Sequence, residues 1–217
     1  TSAMAEIGSP PNNLSGSVGT DNGEVCVYCH TPHQANVNFA GAPIWNKADV
    51  NTTFSMYGGG AAGVGTVAAT KTDATPGASS LACLSCHDGV SAVDSILNAP
   101  NSGMNTVAGS TYIGVDYTTN DAAVIGGDLT NDHPVSIQYL GTADTNTSPG
   151  SLKIDTTPLT GWLGATTIAD LLRPDPTGTT RSRVECSSCH DPHNGTSPAT
   201  DVNYLRTRNK DRSIVPG

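Results

Sequence analysis

Six cysteines fall in three pairs of identical spacing, Cys26/Cys29, Cys83/Cys86 and Cys186/Cys189, and a histidine follows each pair at once: His30, His87 and His190. No other feature limits the chain so strongly. C-x-x-C-H is the attachment signal for c-type haem. The two thiols reach the two vinyl groups on one porphyrin edge, and the adjacent histidine swings under the ring to bind iron. Three disulfides would use six cysteines in an exported protein, but they leave the histidine after every pair unexplained. Structural zinc takes sets of four Cys and His ligands, and three CxxC pairs do not divide into Cys₄ sites. Redox CxxC motifs rarely occur in threes within one small domain. The pattern predicts three haem c groups, anchored by the six cysteines, with His30, His87 and His190 as proximal ligands.

Composition points the same way. Only 36% of the 217 residues are hydrophobic and 5% aromatic, while Gly (24) and Pro (14) are plentiful. That is little apolar surface to offset the entropy of ordering so long a backbone. Disorder usually comes with abundant charge, yet charged residues are only 13%. A core supplied by cofactors reconciles the two.

The chain has six histidines, so three remain once the proximal ligands are assigned: His33, His133 and His193. Three haems and three spare histidines match complete bis-histidine ligation. Six-coordinate iron has no vacant position, which suits electron transfer better than catalysis, and histidine instead of methionine keeps potentials low. An enzyme with an open haem is the opposing reading, and the histidine count disfavours it. Ligand nitrogens on the two sides of a haem lie roughly 4 Å apart, at about 2.0 Å per bond. His33 and His193 each follow a proximal histidine by three residues, with Pro32 and Pro192 stiffening the link. Neither wraps easily to the far side of its own haem. Within one chain, three pairings survive: a swap of His33 and His193 between the first and third haems with His133 on the second, or a cyclic permutation in either direction. A fourth arrangement gives one spare histidine to a neighbouring chain.

The fold expected is mostly irregular coil with a few short helices and short β-strands, a single haem-cored unit over residues 1–217. Short strands are expected at Ser110 to Thr118 and Val135 to Leu140. Helical spacing appears at Val90 to Leu97 and at Ala165 to Arg173, the latter ended by Pro174. Trp45 reads as packing on a haem edge or as ordinary core.

Haem c is attached outside the cytoplasm, so an exported protein at the cell surface or beyond is expected, with the periplasm second. Thr1 to Asn13 lacks the charged start and apolar stretch of a signal peptide, as in a chain already cleaved. The longest apolar run, Gly58 to Ala69, is too short and too rich in small residues for a membrane helix. Net charge is −9, unevenly spread: seven of ten basic and five of nineteen acidic residues follow Leu172, giving +2 there against −11 for residues 1–172. These cations either pair with propionates within the chain or form a basic face that meets the acidic face of another copy. Nucleic acid does not suit so acidic a chain.

Four segments resemble the multihaem cytochromes of metal-respiring bacteria and some archaea. They are Cys26-Val-Tyr-Cys29-His30-Thr-Pro-His33 with Ala42-Pro-Ile-Trp45-Asn46; Leu81-Ala-Cys83-Leu-Ser-Cys86-His87-Asp88-Gly89; Asn131-Asp-His133-Pro-Val135; and Glu185-Cys186-Ser-Ser-Cys189-His190-Asp-Pro-His193-Asn194. The resemblance extends to paired-CxxCH cytochromes that polymerise into extracellular filaments. It implies a homopolymer with a continuous haem chain, passing electrons to redox partner proteins or to acceptors such as minerals. A monomeric periplasmic or cell-surface electron shuttle is the alternative.

Overall fold

Ala78, Leu81, Ala82 and Leu84 are strong helix formers, and no Gly, Pro or β-branched residue interrupts them. They build α1, Ala78–His87. Gly89, at φ +76°, ends it in the left-handed conformation that glycine adopts most readily. The computed structural model describes residues 24–57, 72–99, 108–113, 124–133, 135–139, 153–174, 181–193 and 204–207. Among them the remaining elements are short: a 3-10 turn at Val25–Tyr28, β1 at Ile137–Gln138, α2 at Ile168–Leu171, β2 at Arg173–Pro174, β3 at Arg181–Val184 and α3 at Cys186–Cys189.

The strands form one antiparallel sheet in the order β1-β3-β2. Ile137 pairs with Val184 and Arg173 with Arg183. Pro174, which has no N–H to give, lies on the edge strand β2. The rest is coil, as the composition led one to expect.

Apolar burial is divided among three small clusters. Val27, Tyr28, Ile96 and Ala99 form one. Met56, Leu84, Leu129 and Val135 form a second, with Cys186 packed on it. Phe39, Trp45 and Ala82 form the third, with Cys29 and Leu81 against them. Helix α1 joins the last two, since it sends Leu84 to one and Ala82 to the other.

The face of α1 that carries Ser79, Ser80 and Ser85 is buried. Ser80 Oγ and Ser136 Oγ (3.0 Å) both donate to Glu185 Oε2, while the Cys186 N–H donates to Ser80 Oγ at 3.0 Å. This polar hub ties α1, β1 and α3 together. Gly77 makes it possible, because a Cβ there would lie 2.3 Å from Glu185 Oε1.

Three expectations need correction. Val90 to Leu97 is not a helix: its backbone groups bond to distant parts of the chain instead. The Val93 N–H donates to the Thr111 carbonyl and the Leu97 N–H to the Asn46 carbonyl. The carbonyls of Ala92, Val93 and Ser95 accept from Lys47. Residues 110–113 form no strand, since Thr111 is used by that loop and by Asp94; 114–118 lies outside the described residues. The helix expected from Ala165 to Arg173 is shortened to α2, and Arg173–Pro174 turns into the sheet. Val135 to Leu140 does contain a strand, β1. Thr1 to Asn13 and Gly58 to Ala69 lie outside the described residues, and no described helix is long and apolar enough to cross a membrane.

Candidate functional site

Each CxxC pair lies on a helical turn, which sets residues three apart on one face. The first occupies the 3-10 turn and the residue after it, the second lies within α1 and the third is α3. In the first and third, the histidine N–H returns to the carbonyl of the leading cysteine, His30 to Cys26 at 2.8 Å and His190 to Cys186 at 2.9 Å. Both thiols and the histidine of a motif are thereby fixed by one local bond pattern. No disulfide joins the six cysteines, all of which are described.

The second motif sits between the other two. Cys29 packs with Leu81 and Ala82 of α1, and Cys186 with Leu84. Burial, reinforced by the nearby Cys86, pushes the Cys29 thiol up to about 12. A hydrogen bond to Cys186, then burial, raises Cys83. Burial also raises Cys189, against the opposing pull of Arg206 and Arg173. Cys186, by contrast, is shifted down, chiefly by its hydrogen bond with Cys83.

Histidines from separate segments meet in two pairs. The His30 and His193 ring centres are 6.1 Å apart with planes 19° from parallel. His133 and His190 are 6.4 Å apart with planes at 7°. Two imidazoles on opposite sides of one iron would have centres about 6.3 Å apart, from about 2.0 Å per metal–nitrogen bond and about 1.15 Å from nitrogen to ring centre. The observed separations bracket that value. His30 Nδ1 lies 2.8 Å from the Pro43 carbonyl oxygen. Donation to that carbonyl would leave Nε2 without a proton and free to accept a metal, as in the usual outer-shell arrangement of a metal-bound histidine. His193 Nδ1 faces Asp191 Oδ1 at 3.7 Å, and Arg206 holds the other carboxylate oxygen at 3.3 Å.

Among the described residues no three or more His, Cys, Asp or Glu side chains gather as a metal site. A haem iron asks the protein for only two ligands, because the porphyrin supplies the other four. At the first and third motifs, the thiol pair and the two imidazoles would suit a haem.

His87 closes α1, and its carbonyl accepts the N–H groups of Ile125 and Gly126. His33 is exposed and lines a cleft of about 470 Å³ with Cys26, His30, Pro32 and Ile44. Trp45 is buried, with its ring edge-on to His30 at 5.8 Å. It packs on His30 of the first motif and on Phe39.

Three basic residues after Leu172, Arg173, Arg183 and Arg206, make internal contacts. Arg183 pairs with Asp73 at 2.6 Å. Arg173 and Arg206 both donate to the Ser187 carbonyl, between the cysteines of the third motif. Arg208, Lys210 and Arg212 lie outside the described residues.

Two contributors were not anticipated from the sequence. Asn46 and Lys47 follow Trp45 directly, and both are buried. The available signal was scarcity, since Lys47 is one of only three basic residues before Leu172. Compared with known proteins, the chain matches no family model and none of the curated proteins.

Proposed function

We propose that the chain is an electron-transfer protein carrying three haem c groups with bis-histidine iron, and that it is not an enzyme. The observation that carries this reading is the pair of histidine–histidine separations at the first and third motifs. When bound, haem supplies a reversible one-electron iron couple. The residues of the chain do the rest. Cys26, Cys29, Cys83, Cys86, Cys186 and Cys189 anchor the groups, and His30, His87 and His190 are the proximal ligands. His193 serves the first iron and His133 the third. Of the three intrachain pairings this is one cyclic permutation, and it leaves His33 for the second iron or for a neighbouring chain. With two histidines to each iron, no position would be left for a substrate, and the packing of Cys29 and Cys186 on opposite parts of α1 would hold the three groups near one another.

The working role is extracellular electron transfer by an exported protein whose copies associate into a filament with a continuous haem path, delivering electrons to partner proteins or minerals. The exposed His33 in its cleft, open to a second copy, favours this over a lone shuttle. Electron microscopy of the natively isolated red protein, with haem content measured on the same sample, tests it. Filaments of regular repeat with three haems per chain are expected. Uniform small particles with three haems would replace the filament with the monomeric shuttle. A haem-free chain from a host competent in haem attachment would overturn the whole reading.

A further inference from the structure

Lys47 is 3% exposed, and a buried ammonium is costly unless compensated. Among the described residues no carboxylate lies within ion-pair distance of it. Its Nζ donates to three backbone carbonyls: Ala92 at 3.3 Å, Ser95 at 3.0 Å and Val93. Three acceptors match the three donors of a charged lysine. Asp94 lies between two of those carbonyls in sequence, but its carboxylate is turned to Thr111, accepting from the N–H and the hydroxyl at 2.9 Å each. The cation is thus held by dipoles, and its charge is not cancelled by direct pairing.

Its position is fixed against the first motif. The neighbouring Asn46 is wholly buried. Its N–H donates to the Cys29 carbonyl at 2.8 Å, and its Nδ2 donates to Val27 O at 2.7 Å and Asn98 O at 3.0 Å. On the other side, Trp45 meets His30.

Resting on the haem reading above, we infer that Lys47 is a positioning residue that sets the reduction potential of the haem anchored at Cys26 and Cys29, holding it above the value its bis-histidine ligation alone would give. An oxidised iron centre carries one more positive charge than a reduced one. A fixed cation nearby therefore favours the reduced form, and burial keeps that interaction strong and little screened by salt.

The test is a potentiometric titration of the three-haem protein, followed by visible absorbance and electron paramagnetic resonance, for Lys47→Met and Lys47→Arg. In Lys47→Met one component moves to lower potential, with at least a tenfold change in its oxidised-to-reduced ratio at fixed potential, which is 59 mV for one electron. Lys47→Arg keeps the charge and leaves that component near its original place. Unchanged components in Lys47→Met, with three low-spin haems retained, overturn the inference. So does an equal shift in Lys47→Arg, which would make the effect one of packing. Should Lys47→Met fail to assemble, the unsubstituted protein still decides. One component must hold its potential between about 0.05 M and about 0.5 M salt, where exposed charges are progressively screened; if all three move together, Lys47 does not set any of them. Haem counted by pyridine haemochrome separates the two failures, because absent haem defeats the functional reading and three haems with no shift defeats only the role of Lys47.

Discussion

The second motif lies within a ten-residue helix whose hydrogen bonds are local, whereas the first lies on a single 3-10 turn of four residues and the third on an equally short α3. A turn of that length does not hold itself in water. The first is held from outside, by Asn46 on Cys29 and Val27 and by the Thr31 N–H on the Ile44 carbonyl at 2.8 Å. The third is held by the strand-like segment at 204–206, with the Asp191 N–H donating to Tyr204 O and the Arg206 N–H to Cys189 O. The same five-residue signal thus specifies only a turn, and its surroundings decide how that turn is supported. It is at the two externally supported motifs that a histidine from another segment meets the motif's own histidine. The clamping segments, at 44–46 and 204–206, are distinct from those that bring in His193 and His133.

The largest expected effects are at those two meetings. His193→Ala should leave three haems attached and turn one of them high-spin, because thioether bonds do not depend on the distal ligand. His133→Ala should do the same to a different haem, and the double variant to two. Spin state by absorbance, with haem content by pyridine haemochrome, checks this. A fully low-spin spectrum in either single variant would remove that histidine from the iron and break the distinction between the outer motifs and the second.

The contrast in support predicts a second pair of outcomes. Leu84, 1% exposed within α1, should cost about 2–5 kcal/mol when changed to Ala, as buried leucines do. Asn46→Ala should cost about 1–3 kcal/mol, from buried groups left unsatisfied. Its effect should be local, with faster amide exchange at 29–30 and 97–98 and unchanged protection in α1. Equal loosening of α1 would mean that the first motif and the helix are one cooperative unit.

The three motifs, the coil-rich fold and the short strand at 137–138 were legible in the sequence because each depends on local chemistry. Helix α1 was passed over since its buried face is largely serine, so no apolar stripe marks it; the uninterrupted run after Pro76-Gly77 was the signal to weigh. The helix expected at Val90 to Leu97 had the right apolar spacing, but Lys47 and Asn46 take its backbone groups, and spacing cannot report a competitor 45 residues away. The polar strand Arg181–Val184 carried no β pattern. The histidine pairings needed distances, because all three permutations satisfy the count.

A smaller effect concerns the buried hub between the second and third motifs. Burial raises the Glu185 carboxyl above its ordinary 4.5, against hydrogen bonds from Ser80 and Ser136, with Asp73 adding to the rise and Arg183 opposing it. The folded state then holds a proton that the unfolded state releases. Stability is unaffected below about pH 4.5 and declines as pH rises from there to the folded value, by about 1.4 kcal/mol per unit of the rise. Glu185→Gln should lack that decline. Thermal melts of the holoprotein from pH 4 to 8 measure it, and parallel profiles for the two proteins would show that the hub is ionised in the fold.

The smallest effect has the opposite sign and lies at the N-terminal cap of α2. Asp170 Oδ2 accepts from the N–H and hydroxyl groups of both Thr166 and Thr167, at 2.9–3.1 Å. Those bonds hold its carboxyl down to about 2, from an ordinary 3.8. The stabilisation is complete above about pH 3.8 and is lost as pH falls through about 2. Asp170→Asn should remove this acid-side loss and expose the Thr166 and Thr167 amides to faster exchange, with no change at Glu185. If the two variants altered the same part of the pH profile, the hub and the cap would not be independent, and the separation drawn between motif support and peripheral capping would fail.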